Sequence, residues 1–207
     1  MRLDIVTAHG DGYVDLDRPR HASGLLVLTH GAGGGVEALD LVAIRDAAVA
    51  AGIAVARVTQ SYRAAGRRSP PVPAKQDESW LEIVPALRRR RGFGALPLIV
   101  GGRSNGARVA CRTALTAGAS GVVALAFPLH PPGRPEKSRL DELDGAGVPT
   151  LVVQGDRDPF GMPPKGAGRA IVVVPGGDHS PKRDPVSVAS AVLAFVTTLI
   201  DSARVGE

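Results

Sequence analysis

Short apolar runs alternate along the chain with longer segments whose apolar residues recur at helical spacing. The runs Leu25 to Thr29, Ile53 to Val58, Leu96 to Val100, Val122 to Phe127, Thr150 to Gln154 and Ala170 to Val174 are rich in Val, Leu and Ile and show no polar alternation. Strands of that kind are buried on both faces, as in a parallel sheet covered by helices. Between them, helices are predicted over Val36 to Ala51, from near Asp77 to Gly92, over Ala107 to Ala117 and over Pro135 to Leu143, three of them stopped by a glycine. Pro185 to Ala203 places Val188, Val192, Phe195, Val196 and Leu199 on one helical face, which predicts a last helix packed on the sheet. Leu3 to Thr7 and Tyr13 to Leu16 read as an antiparallel hairpin with Gly10 and Gly12 in its turn. The expected fold class is α/β, a mostly parallel central sheet with helices on both faces, in a single domain spanning 1–207. Ser61 to Lys75, with Pro70, Pro71 and Pro73, reads as the only long irregular piece.

The candidate chemistry sits where these predicted strands end. Leu98-Ile99-Val100 runs into Gly102-Arg103-Ser104-Asn105-Gly106 and then a helix, the strand–turn–helix setting in which a Gly-x-Ser-x-Gly pattern presents a nucleophile. Ser104 must sit on a tight turn, and the residues two away on either side must be small for strand and helix to approach. Asn105, at the helix start, offers its main-chain N–H to a developing oxyanion. The strand Leu25 to Thr29 runs into His30-Gly31-Ala32-Gly33-Gly34, a side-chain-poor loop suited to a second donor. Ala32 is assigned that role, Gly33 is the less favoured choice, and His30 is read as holding the loop. A phosphate cradle is the competing reading of these glycines, but neither a Gly-Lys-Ser/Thr ending nor spaced dinucleotide glycines are present.

An acid and an imidazole follow at the exits of the next strands. Gly155-Asp156-Arg157-Asp158 carries two candidates for the orienting acid, with Asp158 favoured over Asp156, which is read as capping its own turn. Asp178-His179-Ser180 carries the base. The chain order Ser104, Asp158, His179 is the order of one of the known triad arrangements. His130 also follows a strand, before Pro131-Pro132, and reads as a loop or pocket residue; with Arg103, Arg63 and Arg67 it is a candidate substrate contact. The arginines favour an anionic substrate or else brace the loops, and sequence leaves both open.

Composition narrows the rest. With 44% apolar and 22% charged residues in 207, the chain has the balance of one compact domain. Its net charge of +5 raises nucleic acid as a partner, but the basic residues gather in the proline-rich loop and at Arg88 to Arg91, where a helix C-terminus favours cations. Aromatics are 3%, too few for stacking platforms, so no nucleic-acid partner is expected. Cys111 is the only cysteine, which excludes an internal disulfide and a cysteine-clustered metal site; it is read as a buried apolar residue. No secretory leader is read at the start and no stretch of membrane-crossing length, so a cytoplasmic protein without a membrane partner is expected.

Taken together, His30-Gly31-Ala32-Gly33-Gly34, Gly102-Arg103-Ser104-Asn105-Gly106, Gly155-x-x-Asp158 and His179 resemble the α/β-hydrolase superfamily, in particular its small lidless, dienelactone-hydrolase-like branch. The resemblance runs from the strand before His30 to the last helix. It implies a minimal α/β-hydrolase fold with no cap domain and a serine hydrolase acting on a small acyl ester or thioester without metal or organic cofactor. Its partner is then a small-molecule acyl substrate, with self-association left open. Dienelactone hydrolases use a cysteine where this chain has Ser104, so that family's named activity does not carry over. A peptidase or acyltransferase on the same residues, or an interaction module that keeps the fold, are the alternatives.

Overall fold

A computed structural model describes residues 1–180 and 183–205. Its elements follow in chain order as β1 (Arg2–Ile5), β2 (Gly12–Asp17), β3 (Leu25–Thr29), α1 (Leu39–Ala50), β4 (Ala54–Thr59), α2 (Ser61–Ala64), α3 (Pro73–Arg88) and β5 (Leu98–Arg103). Then come α4 (Asn105–Thr113), β6 (Gly121–Leu125), α5 (Leu140–Asp144), β7 (Thr150–Gly155), β8 (Arg169–Val174) and α6 (Pro185–Val205). The strands form one eight-stranded sheet in the order β1-β2-β4-β3-β5-β6-β7-β8. β1 and β2 are antiparallel to their neighbours, and every pairing from β4 to β8 is parallel.

The uninterrupted apolar strands have the reason expected of them: each feeds two cores. Leu25 and Val27 of β3 face a cluster with Trp80, Ile83 and Leu87 of α3 and Val109 and Cys111 of α4, while Leu26 and Leu28 face Leu41 and Ile44 of α1 and Val188, Val192 and Val196 of α6. The sheet is therefore the middle of three layers. Its crossovers bring the C-terminal ends of the parallel strands to one edge, where open α/β sheets carry their sites.

Several sequence expectations shift. α3 starts at Pro73, inside the segment read as irregular, because proline fills the first helical position, where its missing N–H is no loss. With α2 also inside it, Ser61 to Lys75 is not the long irregular piece; 126–139 and 156–168 are longer. Gly12 belongs to β2, and of the two glycines Gly10 takes the turn's positive φ. α4 begins two residues early, at Asn105, directly behind Ser104, and α5 is only Leu140–Asp144. α6 is long and apolar enough to cross a membrane by length and composition, contrary to the reading that no stretch is. Val188, Ala189, Val192, Val196 and Ile200 are buried on its inner side against α1 and the sheet, while most of the helix stays partly or fully exposed.

Candidate active site

The turn between β5 and α4 is strained where the sequence pattern requires it. Ser104 has φ 52° and ψ −113°, a left-handed backbone that non-glycine residues rarely adopt. Its glycine neighbours make the turn fit. A Cβ on Gly102 would lie 2.7 Å from the Thr29 carbonyl oxygen, and one on Gly106 would lie 2.7 Å from the His30 carbonyl oxygen and 2.8 Å from Thr29 Cγ2. β5, β3 and α4 thus meet at distances that only glycine permits, and the main-chain N–H of Ser104 donates to the Leu125 carbonyl at 2.8 Å. The turn is held from below, and its side chain is presented above the edge.

Three side chains from three strand exits join there. Ser104 Oγ lies 2.8 Å from His179 Nε2, and His179 Nδ1 lies 2.8 Å from Asp158 Oδ2. The Asp158 carboxylate is buried and fully engaged: Oδ1 accepts the Phe160 N–H at 2.9 Å, and Oδ2 also accepts from Gln154 Nε2 at 2.8 Å. A buried carboxylate so fixed holds the imidazole with its proton on Nδ1, leaving Nε2 free to accept from the serine. Asp156, the other candidate, is exposed, and no hydrogen bond to its carboxylate is seen among the described residues.

The loop after β3 is anchored by His30, as its sequence position suggested. His30 is buried; its Nδ1 donates to the Gly31 carbonyl at 2.8 Å and its Nε2 accepts the Gln60 N–H at 3.1 Å. Burial pushes its pKa down, consistent with this neutral pairing. Gly31 lies against Ser104, since a Cβ there would be 3.4 Å from Ser104 Cβ. The Gly34 N–H closes a turn on the Gly31 carbonyl at 3.1 Å, and Tyr62 Oη donates to the Ala32 carbonyl at 2.9 Å. Ala32 and Gly33 sit at the middle of that turn, and among the described residues neither N–H has an internal acceptor. Asn105, first residue of α4, also has a free N–H; its side-chain amide donates to Gln76 Oε1 at 2.6 Å, and Gln76 Nε2 donates in turn to the Pro71 carbonyl at 3.0 Å.

The remaining sequence candidates separate. Arg103 is largely buried, with Nε 3.4 Å from Asp40 Oδ2 on α1 and an Nη2 hydrogen bond to the His179 carbonyl. Arg63 Nη1 donates to the Arg67 carbonyl at 3.1 Å, bracing its own loop, whereas Arg67 is exposed at the rim of a cavity. That cavity, about 270 Å³, is lined by Gln60, Ser61, Tyr62, Gln76 and Ser79, with His9 at its edge; Tyr62 and Gln76 are the residues that bond Ala32 and Asn105. His130 Nδ1 bonds its neighbour's Pro131 carbonyl at 2.9 Å and its N–H reaches the Phe160 carbonyl at 3.0 Å, so it supports the Phe160 loop. Cys111 is fully buried and its thiol is pushed up to about 12 by burial, as an inert core residue.

Phe160, Gln154, Gln76 and Asp40 are the site residues that sequence reasoning missed. The Phe160 ring packs on the His179 imidazole with centroids 4.1 Å apart. An aromatic two residues past Asp158, in a chain with 3% aromatics, was the available signal. Gln154 stands four residues before Asp158 on β7, where it reads as the end of a buried strand, while Gln76 and Asp40 act across the fold and nothing in their local sequence marks them. A larger cavity, about 600 Å³, lies between α5 and the turn before β8, beside Thr150 at the opposite end of the strands, away from these groups. Among the described residues no cluster of three His, Cys, Asp or Glu side chains is placed to hold a metal ion.

Comparison with known proteins agrees with this architecture. The chain superposes on Est1E from Butyrivibrio proteoclasticus with TM-score 0.77 at 18% identity, covering 97% of this chain and 99% of that one. It is similar to XC6422 from Xanthomonas campestris, an α/β serine hydrolase without a lid, with TM-score 0.76 at 19% identity over 96% and 94% of the chains. A dienelactone hydrolase from Anabaena variabilis gives TM-score 0.71 at 16% identity over 98% and 96%. No curated protein matches by sequence. At such identities the likeness is one of fold, and the sequence evidence is a family model for the alpha/beta hydrolase domain, which matches residues 22–194 and takes in Ser104, Asp158 and His179. The chain belongs to the alpha/beta hydrolase domain family.

Proposed function

We propose that the protein is a serine esterase that cleaves a small acyl ester or thioester through an acyl-enzyme. The observation that carries this reading is the line Ser104 Oγ–His179 Nε2 and His179 Nδ1–Asp158 Oδ2, both hydrogen bonds 2.8 Å long, on the strained turn at the sheet's C-terminal edge. Ser104 Oγ attacks the carbonyl carbon while its proton passes to His179 Nε2, and Asp158 stabilises the imidazolium. The carbonyl oxygen takes up the negative charge and is met by the N–H groups of Asn105 and Ala32, the former with the partial positive charge of the α4 N-terminus behind it. The tetrahedral intermediate expels the alcohol or thiol, which takes the proton from Nε2. Water, deprotonated by the same nitrogen, then attacks the acyl-serine, and Ser104 Oγ leaves with the proton from Nε2 as the acid is released.

The walls favour short acyl groups. The cavity reached from the Ala32 loop past Tyr62 is small, about 270 Å³, so the methylenes of a long acyl chain that project beyond it forgo the ~0.8 kcal/mol each would gain on burial. Arg67 at its rim favours a substrate bearing a carboxylate or phosphate, with Arg63 bracing the same loop, while Arg103 and His130 hold the His179 and Phe160 loops. The decisive experiment is labelling with a fluorophosphonate, followed by mass spectrometry of the Ser104 peptide and by turnover of p-nitrophenyl esters from acetate to palmitate. Labelling and hydrolysis lost in Ser104→Ala support the reading; labelling that survives that change refutes it, and preference for palmitate refutes the short-chain part.

A further inference from the structure

A buried ion pair stands behind the imidazole and takes no part in the proton transfers described above. Arg103, the residue before Ser104, points away from solvent: its side chain is 14% exposed and that of its partner Asp40 only 5%. Burial acts against both charges, pulling the Arg103 pKa down and pushing that of Asp40 up, and each is the main charge opposing this in the other. Such a pair rarely stabilises a fold over apolar packing, so its presence calls for another use.

The geometry shows where that use lies. The guanidinium spans three parts of the site: Nε faces Asp40 at the start of α1, Nη1 runs alongside Gly31 in the loop after β3, and Nη2 donates to the carbonyl of His179. Among the described residues, that donation is the one main-chain hydrogen bond of His179. The loop around it is tied by the Arg157 N–H on the Gly177 carbonyl at 2.9 Å and, on the same peptide as the His179 carbonyl, by the Ser180 N–H on its near neighbour Asp178 Oδ1 at 2.7 Å; the second bond stays within the loop, so among the described residues Arg103 is what ties that peptide to the rest of the fold. Asp40 in turn is fixed by the Leu41 N–H, which donates to Oδ1 at 2.9 Å. The anchor therefore runs from α1 through Asp40 and Arg103 to the base.

We infer that Arg103 and Asp40 form a positioning pair for His179: Arg103 holds the histidine main chain so that Nε2 meets Ser104 Oγ, and Asp40 holds and neutralises Arg103. The inference rests on the esterase reading for its readout and goes beyond it in assigning two residues that touch no reacting atom. A displacement of about 1 Å at a reacting group costs ~10²-fold in rate, which sets the expected effect.

The test uses Arg103→Met, Asp40→Asn and the double variant, each followed by the rate of fluorophosphonate labelling at Ser104, by kcat and KM for p-nitrophenyl acetate, and by thermal unfolding. Arg103→Met strands the Asp40 carboxylate, so both its Tm and its labelling rate fall. In the double variant no buried charge is left unpaired, so Tm recovers toward the parent. A positioning role keeps the labelling rate and kcat of the double variant low, by about 10²-fold with KM little changed, because the His179 carbonyl still lacks its donor. Labelling and kcat that recover together with Tm would show the pair to be structural and overturn the inference, as would Arg103→Met labelling at the parental rate. A parent that does not label at all overturns the hydrolase reading instead, and the positioning role with it.

Discussion

Asp158→Asn tests the site through a single atom. In the parent, Oδ1 of Asp158 accepts the Phe160 N–H at 2.9 Å, and Oδ2 accepts both Gln154 Nε2 and His179 Nδ1 at 2.8 Å. All three neighbours donate, so the carboxylate is satisfied and an amide cannot be. If the asparagine oxygen keeps the Phe160 N–H, its NH₂ faces His179 Nδ1 and Gln154 Nε2. The imidazole then turns acceptor at Nδ1 and carries its proton on Nε2, pointing at Ser104 Oγ, where it blocks proton uptake. If the amide is reversed, NH₂ meets the Phe160 N–H. Gln154 offers a partial escape, since its Oε1 is buried without a partner, but turning its amide gives up donations to the Phe127 and Gly161 carbonyls at 3.3 and 3.0 Å.

The wrong tautomer costs ~10⁴-fold in kcat in a triad of this kind, about 5 kcal/mol of barrier. Steady-state hydrolysis of p-nitrophenyl acetate, with Ser104→Ala as background, reads this directly. Asp156→Asn, on an exposed carboxylate, should stay within a few-fold of the parent. A larger loss in Asp156→Asn than in Asp158→Asn, or kcat above a tenth of the parent in Asp158→Asn, would refute the assignment of the orienting acid.

Other expectations follow from the same geometry. Gly106→Ala drives a Cβ to 2.7 Å from the His30 carbonyl oxygen, so overpacking against main chain should destabilise by about 1–3 kcal/mol and lower Tm by several degrees in a thermal melt. Glu142 bonds Arg108 and Arg112 at 2.6 to 3.0 Å; burial raises its pKa, but the two arginines outweigh this and hold it below the usual glutamate range. Its contribution is complete above the unfolded-state value and is lost as pH falls through the folded one, so Tm should drop on acidification through that range and Glu142→Gln should flatten that part of the curve. Arg67→Ala should raise KM for a p-nitrophenyl ester bearing a free carboxylate more than for p-nitrophenyl butyrate, and Arg63→Ala should do less; equal effects on both esters would remove Arg67 from substrate binding.

What was legible in the sequence is what depends on local pattern. The run Leu25 to Thr29 is β3 residue for residue, and the other parallel strands differ by one to three residues at their ends, because doubly buried strands leave an unbroken apolar signature. Ser104, Asp158 and His179 each lie at the end of such a strand, and a parallel sheet brings those ends to one edge whatever the chain separation. Helix starts were less legible. Pro73 reads as a loop residue but opens α3, and α4 starts at Asn105 because the nucleophile itself occupies the position before the helix. A proline or a small polar residue serves equally well in a turn and at a helix N-terminus, and the pattern does not separate the two.

The arginines show why the rest was not. Arg63, Arg67 and Arg103 carry the same charge, and from sequence they were equal candidates for an anionic substrate. What divides them is their surroundings. Arg103 meets Asp40, 63 positions earlier in the chain and on the far side of a strand–helix crossover, and the His179 carbonyl, 76 positions later. Asp40 in the first turn of α1 reads as an ordinary helix-start charge, and a main-chain carbonyl has no sequence signature at all. A charge in this chain therefore becomes a positioning group or a substrate contact through the partner that the fold delivers to it. The two fates differ in a measurable way: a positioning arginine acts on kcat for every ester, whereas a substrate contact acts on KM for the anionic ones. The comparison of Arg103→Met with Arg67→Ala on one pair of esters consequently asks whether the fold has sorted two identical side chains into two different tasks.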